Sequence, residues 1–194
     1  VIVLDEAYYD YVTDAAYPES TRLIDQYPNV VVLRTFSKIY GLASLRIAYA
    51  VSNAENIRHL NKVRQLFNVN SIAQVAALAS LQDPEFRKAG QNNNTEGKKY
   101  LYQIFTELDL EYIPAEGNFV MVNTGLDSME VYQRLLEKGI IIRPGEHFQM
   151  PAWLRVSIGT MEDNQSFAKA FREIYGSLVK QYLPVQSGER RNME

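Results

Sequence analysis

Two apolar runs constrain the fold most, Val1-Ile2-Val3-Leu4 and Val30-Val31-Val32-Leu33. Near-continuous branched aliphatics are what a strand buried in a parallel sheet requires. The expected fold class is therefore α/β. Each run breaks off into a polar cluster. The first opens onto Asp5-Glu6-Ala7-Tyr8-Tyr9, and the second leads to Thr35-Phe36-Ser37-Lys38-Ile39-Tyr40-Gly41-Leu42. Val1 has no initiator Met, turn or helix before it, and a parallel strand needs neighbours. The chain is thus expected to be part of a longer protein.

Patterning extends this reading along the chain. Strands are expected at 1–4, 30–35 and 46–51, with loop and a short helix over 13–28. Helices are expected at 54–66, capped by Asn53, and at 71–82, after the break Asn68-Val69-Asn70-Ser71. Asp83-Pro84 is an N-cap followed by proline at the first helical position, opening a helix to about residue 108. Beyond it the texture becomes α+β. Strands are expected at 119–123, 140–143 and 153–158, with helices at 128–138, stopped by Gly139, and at 164–182. The organisation expected is 1–53 as part of a large α/β domain, 54–82 as connecting helices, 83–182 as a small α+β domain, and 183–194 as a disordered tail.

Composition excludes several classes of function. Net charge is −3, so no basic field points to nucleic acid or an anionic membrane. With no cysteine there are no disulfides, thiol nucleophiles or thiolate metal sites, and two histidines are few for a metal centre. No apolar stretch approaches the ~20 residues that span a bilayer, and no signal peptide is visible. A cytoplasmic location is the default.

The chemistry lies where the strands end. Asp5, Lys38 and Arg46 supply an acid, an amine and a guanidinium at the ends of neighbouring strands, where α/β proteins bind ligands. Singly, each has a plainer explanation: a turn aspartate, a solvated lysine, a surface ion pair. Together they match what pyridoxal 5′-phosphate (PLP) demands. An amine binds its aldehyde covalently. A carboxylate beside the pyridine nitrogen keeps that nitrogen protonated. A guanidinium clamps the phosphate. Tyr8 can donate to the ring's phenolic oxygen, and Thr35 and Ser37 can add hydroxyls to the phosphate.

Asp5-Glu6-Ala7-Tyr8, followed by Thr35-Phe36-Ser37-Lys38-Ile39-Tyr40-Gly41-Leu42-Ala43-Ser44-Leu45-Arg46, resembles the cofactor core of fold-type I PLP-dependent aminotransferases, nearest to those acting on histidinol phosphate. Phe67-Asn68-Val69-Asn70-Ser71 is similar to that family's interdomain helix break, and Glu116-Gly117-Asn118-Phe119 to its small-domain Asn-Phe strand. Ile140-Ile141-Ile142-Arg143-Pro144 and Leu154-Arg155-Val156-Ser157-Ile158-Gly159-Thr160 resemble its two C-terminal arginine motifs.

The resemblance implies an incomplete, mixed, mostly parallel large-domain sheet and a C-terminal α+β domain. It implies catalysis by Lys38 and cofactor binding by Asp5, Tyr8, Thr35, Ser37, Lys38 and Arg46. Arg155 would hold the substrate carboxylate or help with its phosphate end, and Arg143 the substrate phosphate. The partners implied are an amino donor, a 2-oxo acid acceptor and a second copy in a homodimer. The family's glycine-containing phosphate loop, stacking aromatic ring and phenolic-oxygen asparagine lie upstream of Val1, so these 194 residues alone are expected to bind PLP weakly and to turn over negligibly. The rival readings are an aromatic or broad-range aminotransferase, a phospho-amino-acid decarboxylase, and a non-catalytic transaminase-like binding or regulatory module.

Overall fold

The first sheet follows from the two apolar runs. In the computed structural model, which describes residues 1–182, β1 (Ile2–Asp5) pairs in parallel with β2 (Val30–Thr35). β2 pairs antiparallel with β3 (Ala48–Val51), giving the order β1-β2-β3. One of the two pairings is parallel, so the sheet is mixed. The chain crosses between β1 and β2 through a 3-10 turn at Ser20–Arg22 and the short helix α1 (Leu23–Gln26). Val30, Val31 and Val32 are buried, as a central strand's side chains should be. Ile2 and Val3 are about half exposed, unlike the buried strand expected, because β1 has one neighbour among the described residues.

β3 starts two residues later than expected. Ala43–Leu45 form a 3-10 turn, and Arg46 leaves it in the left-handed region at φ 54°. Ile47 is then buried, and its carbonyl accepts from Phe36 N at 3.2 Å. The left-handed residue breaks the extended run and detaches Arg46 from the strand.

Three helices follow. α2 (Ala54–Val63) is capped by Asn53, whose side chain accepts from Asn56 N, and α3 (Ser71–Leu81) by Asn70, which accepts from Ala73 N. α4 (Pro84–Glu107) starts on Asp83, whose Oδ1 accepts from Phe86 N at 2.9 Å. It runs unbroken through Gly90–Asn94. α3 is apolar on most sides, yet only Ala73 and Ala77 are buried. None of the described helices is long and apolar enough to cross a membrane.

Packing divides the chain into two units, Val1–Thr95 with Glu116–Asn118, and Glu96–Ala115 with Phe119 onward. The second holds an antiparallel sheet of order β4-β5-β7-β6, comprising β4 (Tyr112–Ile113), β5 (Phe119–Asn123), β6 (Arg143–Pro144) and β7 (Trp153–Ser157). On one face Val120, Val122, Leu154 and Val156 are buried against Leu101 and Phe105 of α4, Val131 and Leu135 of α5 (Ser128–Glu137), and Phe167 and Phe171 of α6 (Met161–Tyr182).

Three local features depart from the expectations. β4 is a two-residue strand that no pattern announced. The run Ile140–Ile142 is not strand, and only Arg143 and Pro144 pair with β7. Ile140 follows the left-handed Gly139 that ends α5, its N–H bonds Leu135 O, and Ile140 and Ile142 pack on the core. α6 starts at Met161, not 164, because Thr160 and Asp163 bond reciprocally. Thr160 N donates to Asp163 Oδ2 at 2.9 Å, and Asp163 N donates to Thr160 Oγ1 at 3.2 Å. The tail 183–194, expected to be disordered, lies outside the described residues.

Gly145 ends the short β6 by close approach. A β-carbon there would overlap the backbone carbonyls of Met150 and Trp153. Gly145→Ala is therefore expected to cost about 1–3 kcal/mol, as overpacking against backbone does. Urea denaturation would measure it, and an unchanged midpoint would show that this turn yields freely.

Candidate active site

The parallel pairing of β1 with β2 brings their carboxyl ends together, and the antiparallel β3 begins at that same end. Asp5 closes β1, Thr35 closes β2, and Arg46 lies two residues before β3. Asp5 Oδ1 accepts from Ala7 N at 3.1 Å, while the residue itself stays exposed. A turn follows, closed by Tyr9 N donating to Glu6 O at 3.0 Å, and Tyr8 is carried inside it. After β2, Phe36 is buried beside Ile47, and a second turn closes from Gly41 N to Lys38 O at 2.9 Å. Gly41 meets its left-handed φ of +70° without a side-chain penalty.

Among the sequence-predicted residues of the first unit, two pairs are in contact. The half-buried Lys38 puts its Nζ 5.1 Å from the centre of the Tyr8 ring. Thr35 Oγ1 and Ser37 Oγ are 2.9 Å apart, and Ser37 N also donates to Thr35 Oγ1 at 3.1 Å. Arg46 is exposed, with one Nη donating to Ala43 O at 2.7 Å. An amine over a phenol ring, a carboxylate, two hydroxyls and a guanidinium, all at one end of the sheet, form a donor set that fits an aldehyde-bearing pyridine phosphate.

The second unit carries the other two predicted residues. Arg143 on β6 and Arg155 on β7 are direct partners across the ladder, so their side chains leave the same face. Arg155 lies on the interior strand β7, between the core residues Leu154 and Val156. Its side chain leaves the face opposite the core, and its guanidinium carbon is 4.0 Å from the Phe119 ring centre. Arg143 is exposed. Like charges directly opposite each other in a sheet are unfavourable unless an anion joins them.

Sequence reasoning missed the residues behind the Asp5–Tyr8 segment. Arg34 donates from Nε to Glu6 Oε2 at 2.9 Å, and its guanidinium carbon lies 3.5 Å from the Tyr9 ring centre. Burial alone would lower the Arg34 pKa, but Glu6's hydrogen bond and charge outweigh it and hold it up. The signal was faint: an arginine ending an aliphatic run and a glutamate beside Asp5. Nearby, burial pushes the Tyr11 hydroxyl pKa up and the Tyr8 phenol adds to this, against a hydrogen bond with Asn118. Tyr40 is raised in the same way, by burial first and then by the charge of Asp10, to which its hydroxyl donates at 3.2 Å.

The chain is 51% identical over 175 residues to the histidinol-phosphate aminotransferase of Moorella thermoacetica, an alignment covering 90% of this chain and 45% of that protein. It is 47% identical over 173 residues to that of Caldicellulosiruptor saccharolyticus, covering 89% and 48%. Its structure superposes with a TM-score of 0.83 and 32% identity on the Sinorhizobium meliloti histidinol-phosphate aminotransferase solved in complex with PLP, covering 92% of this chain and 49% of that one. The chain thus spans about half the length of the relatives it matches. The profile described as "Aminotransferase class I and II" matches residues 1–171, and the chain belongs to that family.

Proposed function

We propose that this chain supplies one part of a PLP-dependent transamination site, and that the whole protein moves an amino group between histidinol phosphate and 2-oxoglutarate in histidine biosynthesis. One observation carries the reading: Asp5, Tyr8, Thr35, Ser37, Lys38 and Arg46 converge at one end of one sheet. Bound there, PLP would supply an electron sink for the bond broken at the substrate's α-carbon. Lys38 Nζ would hold the cofactor aldehyde until the substrate's amine displaces it, and would then move the proton at that α-carbon. Asp5 would sit by the pyridine nitrogen and hold its proton by charge. Tyr8 donates its hydroxyl to the phenolic oxygen. Thr35 and Ser37 offer hydroxyls to the phosphate, and Arg46 its guanidinium.

Arg155 and Arg143 bind the anionic ends of the substrate. Their cross-strand adjacency supports this, because one anion answers the repulsion of both. Names and identities of the relatives support histidinol phosphate as donor. In this reading the protein works as a cytoplasmic homodimer.

The test compares donors in the full-length protein. Arg143→Ala is expected to lower kcat/KM with histidinol phosphate about 10- to 100-fold, the size of a lost charge-assisted hydrogen bond. The loss with phenylalanine should be much smaller. Equal losses would remove the phosphate role from Arg143, and an inactive unaltered protein would end the transaminase reading.

A further inference from the structure

We propose that Arg34 is a positioning residue that sets Tyr8 against Lys38 by clamping both corners of the turn that presents Tyr8. The proposal rests on the PLP reading above. The turn runs from Glu6 to Tyr9, with Ala7 and Tyr8 between, and is closed by Tyr9 N donating to Glu6 O at 3.0 Å. Tyr8 sits at φ −109°, ψ 7°, the ordinary third position of a type I turn. Many residue types fit such a turn, so local sequence does not by itself fix the orientation of Tyr8.

Arg34 adds a tertiary constraint at both corners of the turn. Its Nε donates to Glu6 at the first corner, and its guanidinium covers the Tyr9 ring at the last. The Glu6 side chain is 2% exposed and that of Arg34 15%, so the pair is shielded from water. Tyr17 adds a hydroxyl to Glu6 Oε1 at 3.3 Å, and its ring meets the Tyr9 ring edge-on at 5.9 Å. Glu19 joins from the following segment, accepting from Tyr9 OH at 3.4 Å and lying 3.9 Å from an Arg34 Nη.

Strand geometry turns this knot toward the site. Asp5 and Glu6 are successive residues at a strand end, so their side chains leave opposite faces. The knot grips residues 6 and 9, and in the PLP reading Asp5 and Tyr8 would be the residues turned to the cofactor. Arg34 itself precedes Thr35 on β2, four residues before Lys38. One planar, forked side chain therefore ties the Tyr8 turn to the strand that delivers Lys38, and its fork and stack are not reproduced by a lysine.

The test uses the full-length protein loaded with PLP and reads the pH titration of the lysine-bound cofactor's visible absorption. That titration responds to the Tyr8 hydroxyl and the Asp5 carboxylate, because both stabilise the cofactor's charge. Arg34→Met keeps the bulk and removes both contacts. It is expected to raise the titration midpoint by about one pH unit and weaken PLP about tenfold, the size of one displaced charge-assisted contact. Arg34→Lys should recover only part of the shift. If Arg34→Met does not fold, Glu6→Gln is read in the same way. A fall in melting temperature with an unmoved midpoint and unchanged PLP affinity assigns Arg34 to stability alone and overturns the proposal. A borohydride-fixed cofactor absent from Lys38 in the unaltered protein overturns the PLP reading and this proposal with it. Its presence with an unmoved midpoint overturns this proposal alone.

Discussion

Lys38→Ala in the full-length protein is expected to abolish covalent PLP attachment and to lower transamination by about 10³-fold or more. The lysine serves twice in the proposed chemistry. It binds the cofactor aldehyde, and it moves the proton at the substrate's α-carbon, a role worth about 10²–10⁴-fold on its own. Borohydride reduction followed by peptide mapping should fix PLP on Lys38 in the unaltered protein and nowhere in the variant. Lys38→Arg makes a sharper control. It keeps the positive charge over the Tyr8 ring but offers no amine for the aldehyde. It should hold PLP without covalent attachment and remain as inactive as Lys38→Ala. A fixed cofactor on another lysine, or near-normal turnover by either variant, would remove Lys38 from the reaction.

Phe171→Ala is the substitution expected to cost the second unit most. Phe171 is fully buried. Its ring stacks between Phe167 at 5.3 Å and Tyr175 at 5.6 Å, and meets Phe105 of α4 edge-on at 6.2 Å. α6 is thereby joined to α4 through an aromatic cluster whose ring geometry adds to the area buried. Removing one ring leaves a cavity that helices cannot readily close, and large-to-small changes of this kind cost about 3–5 kcal/mol. Unfolding in urea should show the loss as a lower midpoint with an unchanged slope. A change below about 1 kcal/mol would mean that the cluster relaxes around the gap. Because Phe171 lies in the second unit, cofactor attachment at Lys38 in protein that remains folded should be unaffected.

The reach of the sequence differed from element to element. Helix starts at Asn53, Asn70 and Asp83 were legible because capping is local: a side chain three residues away answers a free N–H. The ends of β1 at Asp5 and of β2 at Thr35 were legible because aliphatic runs mark strands. Ile140–Ile142 misled, since three branched residues read as strand whether a neighbour exists or not. Here the left-handed Gly139 and packing on the core leave only Arg143 and Pro144 to pair. Thr160 and Asp163 stand three residues apart, the spacing of a capping pair, and their reciprocal bonds set the start of α6 at Met161.

Sequence by itself determined which residue types stand at the strand ends, how far apart they are along the chain, and hence the family to which the chain belongs. Tertiary structure decided which of them meet. Parallel pairing of β1 with β2 put Tyr8 and Lys38 side by side. A left-handed backbone at Arg46 took it out of the strand, and ladder register set Arg143 directly opposite Arg155. The knot of Glu6, Tyr9, Tyr17 and Arg34 had no sequence signature, because its members are scattered over 29 positions and only a folded sheet end brings them together. Local chemistry is written in neighbouring residues, whereas contacts between distant residues depend on which strands pair and in what register.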